Sequence, residues 1–359
     1  MLLLVYEAFA SFVFIALLAI DFLPSRQEGN ARLKRGYSPK TLVIVPCRGI
    51  DLTLHKNLSS IASQSCKNYD VIAVVDSNDD AAVPIIKKAD IMHIVAHQFS
   101  AKASGKVNAI LTALYRFKGY EVYVVADSDI TVDRMWLRRL ISPLSSNHIG
   151  ISTMFPMFEP VGGFWSKVKH VWGFVGEGLM KRKATRFGWG GSLAFRKGLI
   201  SKGDLDFIKN SRYSVSDDIC LTKIAKRKGL GIAYTSASQP IVRSNDSFSS
   251  FAEWSNRQTV LSILGYGRNF YYGILFYSAE ILVLLSAIYL SIYSSILFSL
   301  FFIHLLQGEA KTYTRSGRKD PEMAAIVAVM PFMYIANLIV ASRKRSIKWR
   351  GRIYRIRGS

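Results

Sequence analysis

The sequence predicts an alternating α/β domain held between apolar, membrane-spanning segments at the two ends of the chain. Two observations predict it. Through the middle of the chain, β-branched runs alternate with helical patterns, the order that builds a parallel sheet covered by helices. Outside that middle stand apolar stretches long enough to cross a hydrocarbon core of about 30 Å, and basic residues flank them.

Composition narrows the classes. The chain has 359 residues, room for one large domain or two modest ones at about 150 residues per domain. Half of it is hydrophobic, which excludes a disordered chain. Lys and Arg number 47 against 25 acids, a formal charge of +22. Such an excess suits nucleic acid or an anionic membrane surface. Because the basic residues border the apolar runs, the membrane is expected and nucleic acid is not. The three cysteines, Cys47, Cys66 and Cys220, form no CxxC pair and point to a reducing compartment. His93 and His97 have helical metal-ligand spacing, but DIMHIVAHQF reads as a strand, so no histidine metal site is expected.

Met1 to Leu23 is apolar apart from Glu7 and Asp21, and it lacks the basic start and small-residue cleavage site of a signal peptide. It reads as an uncleaved anchor over 1–24. Phe270 to Leu306 is a second apolar run, too long for one untilted span, and Met323 to Ala341 a third. Arg26, Arg32, Lys34 and Arg35 follow the first span, and SRKRSIKWRGRIYRIRGS follows the last. Positive residues mark the cytoplasmic side, so the central region and the basic tail (342–359) are both expected there, with an even number of crossings between them. One arrangement lays part of 270–288 along the interface and spans at roughly 288–306 and 323–341. The other puts two spans in 270–306 and makes the third segment re-entrant.

Between these lies an α/β domain over 39–265. TLVIVP (41–46), YDVIAVVDS (69–77) and YEVYVVADSD (120–129) read as strands, with helices from Leu54 to Ser63 and from Gly105 to Phe117. Each strand delivers polar residues to the same sheet edge: Cys47-Arg48, Asp76-Ser77 and Asp127-Ser128-Asp129. Ligands of open sheets bind beyond the carboxyl ends of the strands. Single residues of these types are ordinary turn formers; three strand ends together make a candidate site.

Asp127 and Asp129, one residue apart at a strand end, suit a hard divalent cation that shares its oxygens with substrate phosphates. Asp217-Asp218 opens a helix from Ile219 to Lys228, with Gly229 as its stop. One acid serves as an N-cap; the second is free to face the cleft as a general base. Lys106, in SGKVNAI, stands at a helix start that suits phosphate, but the loop lacks the P-loop pattern, so an ATPase is not expected. Phe164 to Met180, ending in Lys181-Arg182-Lys183, reads either as an amphipathic segment on the bilayer or as a buried helix with a solvated basic face.

In order and spacing, VPCRG, VVDSNDD, SGKVNAI, VVADSDI, GWGGSLAFRKG and SDDICLTKIAKRKGLGIAY, with the tail IKWRGRIYRIR, resemble the membrane-bound family 2 glycosyltransferases, and within them the ceramide glucosyltransferase group. The resemblance covers about Thr41 to Tyr234 plus the tail. It implies a GT-A fold, a Rossmann-like mixed sheet with helices on both faces, and an inverting, metal-dependent transfer from a nucleotide-sugar, UDP-linked, to a lipid acceptor at the cytoplasmic membrane face. It implies Mg²⁺ or Mn²⁺ at Asp129 and Asp127. Arg48, Asp76, Lys106, Asp127 and Ser128 would contact the donor, Asp76 at the nucleoside. Asp218 would be the base, with Asp217 standing where the family carries Glu. The family's last motif, Gln or Arg, two residues, then Arg-Trp, is matched by Trp254 to Gln258 only at Arg257, which would pair with the donor diphosphate; a rival register starting at Gln258 keeps only the Gln. That departure, and the small number of spans, argue against a processive polysaccharide synthase. A non-catalytic basic membrane scaffold is the remaining alternative. No obligate protein partner is implied.

Overall fold

The computed structural model describes residues 1–22, 34, 36–316 and 320–356. The chain folds as two compact units, one of Arg26–Gly162, Gly173–Asn245 and Arg345–Ser359, the other of Met1–Ser25, Gly163–Trp172 and Asp246–Lys344.

The first unit is built on strands β1 (Thr41–Pro46), β2 (Tyr69–Val75), β3 (Met92–Val95), β4 (Val122–Ala126), β5 (Ile130–Thr131), β6 (Ile149–Thr153), β7 (Met157–Gly162), β8 (Ser192–Arg196), β9 (Gly231–Tyr234), β10 (Ile241–Asn245), β11 (Ser346–Trp349) and β12 (Arg352–Arg355). Seven of them form one sheet in the order β3-β2-β1-β4-β8-β6-β9. The run β3-β2-β1-β4 is parallel, as the alternating pattern predicts. β8 then pairs antiparallel with both β4 and β6, and β6 pairs parallel with β9, so the sheet is mixed. Leu42 and Ile44 share one face of β1 with the helix Gly105–Arg116 core, while Val43 and Val45 point the other way; all four are buried, so both faces are covered. Two-sided burial is why TLVIVP and VYVVA are continuous apolar runs rather than alternating ones.

The helices that serve the site begin where their caps allow. Ser104 accepts a hydrogen bond from the Val107 amide (3.2 Å) and starts helix Gly105–Arg116. Helix Asp217–Arg227 follows Ser216, so both acids lie inside its first turn rather than at the cap position. Gly229, at φ +67°, turns the chain after it into β9. A small sheet, β5-β10-β7, and the antiparallel hairpin β11-β12 complete the unit.

The second unit is helical. Among the described residues, three of its helices are long and apolar enough to cross a membrane: Leu2–Ile20, Arg268–Tyr293 and Pro321–Arg343. The expected span at roughly 288–306 does not form as one helix, and the third segment, Pro321–Arg343, is one continuous helix. Helix Arg268–Tyr293 stops at Ser294, and the Ser295 hydroxyl instead starts the 3₁₀ turn Ile296–Phe302 by accepting from the Leu297 amide. Adjacent serines offer the backbone local partners that compete with helix continuation. Ala10 and Leu17 of the first helix pack with Val283, Ala287, Leu290 and Phe301. Some polar groups in this unit are paired: the Tyr6 and Ser286 hydroxyls at 2.7 Å, and His304 with Glu280 at 3.2 Å.

Compactness groups the chain differently from hydropathy, which set the expected boundaries. Helices Phe164–Trp172 and Phe248–Gly265 pack with the apolar helices, and the residues after Lys344 pack with the sheet. The aromatic stretch expected over 164–180 is two helices, Phe164–Trp172 and Phe174–Lys181, and Lys181 pairs with Glu177 at 2.8 Å. Arg26, Arg32 and Arg35 of the basic flank lie outside the described residues.

Phe195, fully buried on β8 and stacked on Tyr123 at 5.8 Å, tests the mixed half of the sheet. Phe195→Ala should cost about 3–5 kcal/mol, read as a lower Tm of the purified protein; an unchanged Tm would mean the core does not depend on that packing.

Candidate active site at the carboxyl edge of the sheet

The parallel strands β1, β2 and β4 end side by side, and the loops after them carry most of the residues expected from sequence. β4 is buried along its whole length and stops at Ala126, whose neighbour Asp127 hangs its amide on the Gly191 carbonyl (3.1 Å). The Asp127-Ser128-Asp129 turn is thereby fixed against the segment leading into β8. The Ser128 hydroxyl donates to Asp51, and its carbonyl accepts from Asn57 Nδ2 at 3.0 Å.

Lys106 is the second residue of helix Gly105–Arg116, and its side chain reaches across the edge. Nζ lies 2.6 Å from Asp127 Oδ1, 3.4 Å from Asp217 Oδ1 and 3.1 Å from the Gly190 carbonyl. Burial alone would lower its pKa, but Asp127 and Asp217 more than offset that and hold the ammonium above the ordinary lysine range. Asp217 is pushed up to about 6, chiefly by burial and further by the Asp218 and Asp127 carboxylates, with Lys106 opposing. Among the described residues, its Oδ2 has no hydrogen-bond partner. Gly190 makes room for the cluster: a Cβ there would stand 2.4 Å from Asp217 Oδ2 and 3.0 Å from Lys106 Nζ.

Asp218 is half-buried beside this pair, its Oδ1 accepting from the Ser216 hydroxyl and from the Ile219 amide at 2.7 Å. On the other side of the edge, Arg48 pairs with Asp76 at 3.2 Å. Burial pushes the Cys47 thiol up to about 12, so it stays protonated and is no nucleophile.

The structure thus joins Lys106, Asp127, Asp217 and Asp218 in one ionic cluster and sets Arg48 on Asp76. Asp129 belongs to the same field: Arg350 feels Asp51, Asp129 and Asp127 together. Arg257 lies on helix Phe248–Gly265 of the other unit. Sequence reasoning missed Asp51, Gly190 and the hairpin residues Arg350, Arg352 and Tyr354. Arg350 pairs with Asp51 (2.6 Å) and donates to the Arg48 carbonyl (3.0 Å); Arg352 pairs with Asp76 (3.1 Å). The Tyr354 hydroxyl accepts from the Gly105 amide at 3.2 Å. The sequence signal for the hairpin is the dense WRGR tail, whose charge by itself reads as a membrane flank.

The donor set fits a hard divalent cation. Asp127 and Asp129 offer oxygens alone, and no group of three or more His, Cys, Asp or Glu stands together as a ligand set among the described residues. A cation of the Mg²⁺ type is commonly held by one or two carboxylates with substrate phosphates completing its shell.

Asp217 also sets a pH dependence. Its folded pKa lies above its ordinary 3.8, so its contribution to stability is full below about pH 4 and is lost as pH rises through about 6. Asp217→Asn should match the wild-type Tm at pH 3.5 and exceed it at pH 7.5 in chelator; a difference that does not change with pH would show that burial does not shift this group.

The family model for glycosyl transferase family 21 matches residues 5–359. Among solved structures, mannosyltransferase PcManGT from Pyrobaculum calidifontis, in complex with GDP-Man and Mn²⁺, is 15% identical with a TM-score of 0.50, over 94% of this chain and 85% of that one. Glucosyl-3-phosphoglycerate synthase from Mycobacterium tuberculosis, in complex with Mn²⁺ and UDP-glucose, is 15% identical with a TM-score of 0.42, over 66% of this chain and 82% of that one. No curated protein matches. At such identity a likeness bears on the fold alone, and the mannosyltransferase shares it.

Proposed function

The chain belongs to glycosyl transferase family 21, and we propose that it transfers a sugar from a nucleotide-sugar, UDP-linked, to the hydroxyl of a lipid at the cytoplasmic membrane face, with inversion at the anomeric carbon. The resemblance drawn from its motifs was to family 2; the family that matches is 21, which the ceramide glucosyltransferase likeness fits. One observation carries the reading. Lys106 ties Asp127 after β4, suited to the donor diphosphate, to Asp217 of the helix-opening pair, whose neighbour Asp218 is suited to the acceptor. A donor and an acceptor bound to the two halves of one ionic cluster would meet across it.

In this mechanism Asp218 takes the proton of the acceptor hydroxyl as that oxygen attacks the anomeric carbon. The Ser216 hydroxyl and the Ile219 amide hold its carboxylate in place. Asp217, which is buried and paired with Lys106, is a positioning residue: it holds the ammonium against Asp127. Lys106 places its charge where the leaving diphosphate gains negative charge. Asp129 and Asp127 would hold Mg²⁺ or Mn²⁺, which when bound supplies further neutralisation of the leaving group. One displacement with one base gives inversion. The three apolar helices support an integral membrane protein, and the positive residues around them support a cytoplasmic catalytic unit.

The test incubates the purified full chain with a panel of nucleotide-sugars and a lipid extract, with and without Mn²⁺, and reads products by mass. Glycolipid should form only with the cation present. Asp218→Asn should lower turnover by about 10²-fold or more while donor affinity stays within about threefold; wild-type turnover in that variant would remove Asp218 from the reaction. Asp129→Asn should raise the Mn²⁺ concentration needed for half-maximal rate, and an unchanged requirement would place the cation elsewhere.

A further inference from the structure

We propose that the C-terminal hairpin belongs to the donor site, and that Arg350 and Arg352 are the guanidinium pair that receives the nucleotide's diphosphate. The inference rests on the nucleotide-sugar reading above and adds to it the residues that hold the phosphates.

The hairpin is an ordered device. Trp349 pairs with Arg352 across a two-residue turn, and both turn residues, Arg350 (φ 51°) and Gly351 (φ 75°), have the positive φ of a tight type I′ hairpin. Glycine is at ease there. Arginine is not, since its Cβ crowds the following carbonyl at a cost of about 1–2 kcal/mol. Asn or Asp is the usual choice for that position. A strained arginine kept at the tip points to a job for its side chain.

The tip is aimed at the site. Arg350 bonds Asp51 at 2.6 Å and the Arg48 carbonyl at 3.0 Å; Arg352 bonds Asp76 at 3.1 Å, and Arg48 bonds the same carboxylate at 3.2 Å. Three guanidiniums thus share two directly paired carboxylates, Asp76 and Asp51, and Arg350 also lies in the field of Asp129 and Asp127. The paired carboxylates are well covered, at 10% and 25% exposure, whereas the guanidinium side chains keep 36%, 42% and 37% of their surface open. The open partner in each pair is the cation, so an incoming anion meets arginine first.

The neighbouring groups favour the same ligand. The hairpin sits at the start of helix Gly105–Arg116, whose first amide donates to Tyr354 and whose dipole favours negative charge nearby. Arg352 Nη1 stands 2.5 Å from where a Cβ would lie on Gly105, so the glycine lets the guanidinium close on the helix start. Beyond it lies the excess of acid around Asp127, Asp129, Asp217 and Asp218, which Lys106 only partly neutralises. The edge is therefore positive at the hairpin and negative at the β4 turn. A diphosphate carrying a divalent cation matches that polarity, with phosphate oxygens on the arginine forks and the cation toward the aspartates. Arg350 and Arg352 would exchange carboxylate for phosphate when the donor enters, which holds the hairpin over it.

The experiment titrates the full chain in detergent, with MnCl₂, against UDP, GDP and UMP by calorimetry, for wild type, Arg352→Ala, Arg350→Lys and the double variant Arg350→Lys/Arg352→Lys. Each variant should lose about tenfold or more in diphosphate affinity and change by less than about threefold toward UMP. An equal, small effect on both would overturn the assignment. A wild-type protein that binds no nucleotide would instead sink the nucleotide-sugar reading. If a variant fails to fold, as its Tm will tell, the wild-type chain still decides the matter: UDP, and not UMP, should protect Arg350 and Arg352 from phenylglyoxal, read by peptide mass. Unprotected arginines overturn the proposal. So do variants that keep UDP affinity yet lose binding to vesicles of phosphatidylcholine with phosphatidylserine, which would make the hairpin a membrane patch.

Discussion

Lys106 carries its charge in a place where burial opposes it, and the carboxylates of Asp127 and Asp217 keep it there. Removing Lys106 would leave the Asp127 and Asp217 carboxylates uncompensated, a loss of about 3–5 kcal/mol in comparable cases. The surroundings are shaped to that requirement. Gly190 lends a carbonyl and yields the space of a side chain, and the Gly191 carbonyl pins the Asp127 amide. Three elements separated in the chain meet at this interaction: the turn after β4, the start of helix Gly105–Arg116 and the start of helix Asp217–Arg227.

The same cluster divides labour between adjacent acids. Because Ser216 precedes the helix, neither aspartate is spent as the cap residue. Asp217 turns inward to the lysine and Asp218 stays half-exposed, held by Ser216 and its own first turn. Burial raises the pKa of the first. Two identical side chains in sequence thus acquire different chemistry from position alone.

Charge is partitioned in the molecule by location. Part of the basic content, read as a membrane signature, serves the sheet-bearing unit instead: Arg48, Arg350 and Arg352 pair with Asp51 and Asp76. In the helical unit Glu280 answers His304, and Glu7 accepts from the Ser294 hydroxyl, which offsets the cost of ionisable groups beside lipid. A net charge therefore says where solvent and lipid are met only after the internally paired residues are known.

Much was legible before any coordinates. The strands at 41–46, 69–75 and 122–126 follow from β-branched runs buried on both faces, and the helix at 105–116 from its helical apolar pattern. The polar residues at the three strand ends follow from the rule that parallel sheets carry ligands at their carboxyl edge. Local chemistry also marked Asp217-Asp218 as a helix start. What tertiary structure alone decided is long-range. Strand β8 inserts antiparallel between β4 and β6, Ser294 and Ser295 break an apolar run that hydropathy reads as continuous, and Arg350 meets Asp51 across most of the chain. The reason is physical. Propensity, periodicity and capping act over a few residues and are written locally, whereas the partner of a buried charge is chosen by which surfaces the packed core brings within hydrogen-bonding distance.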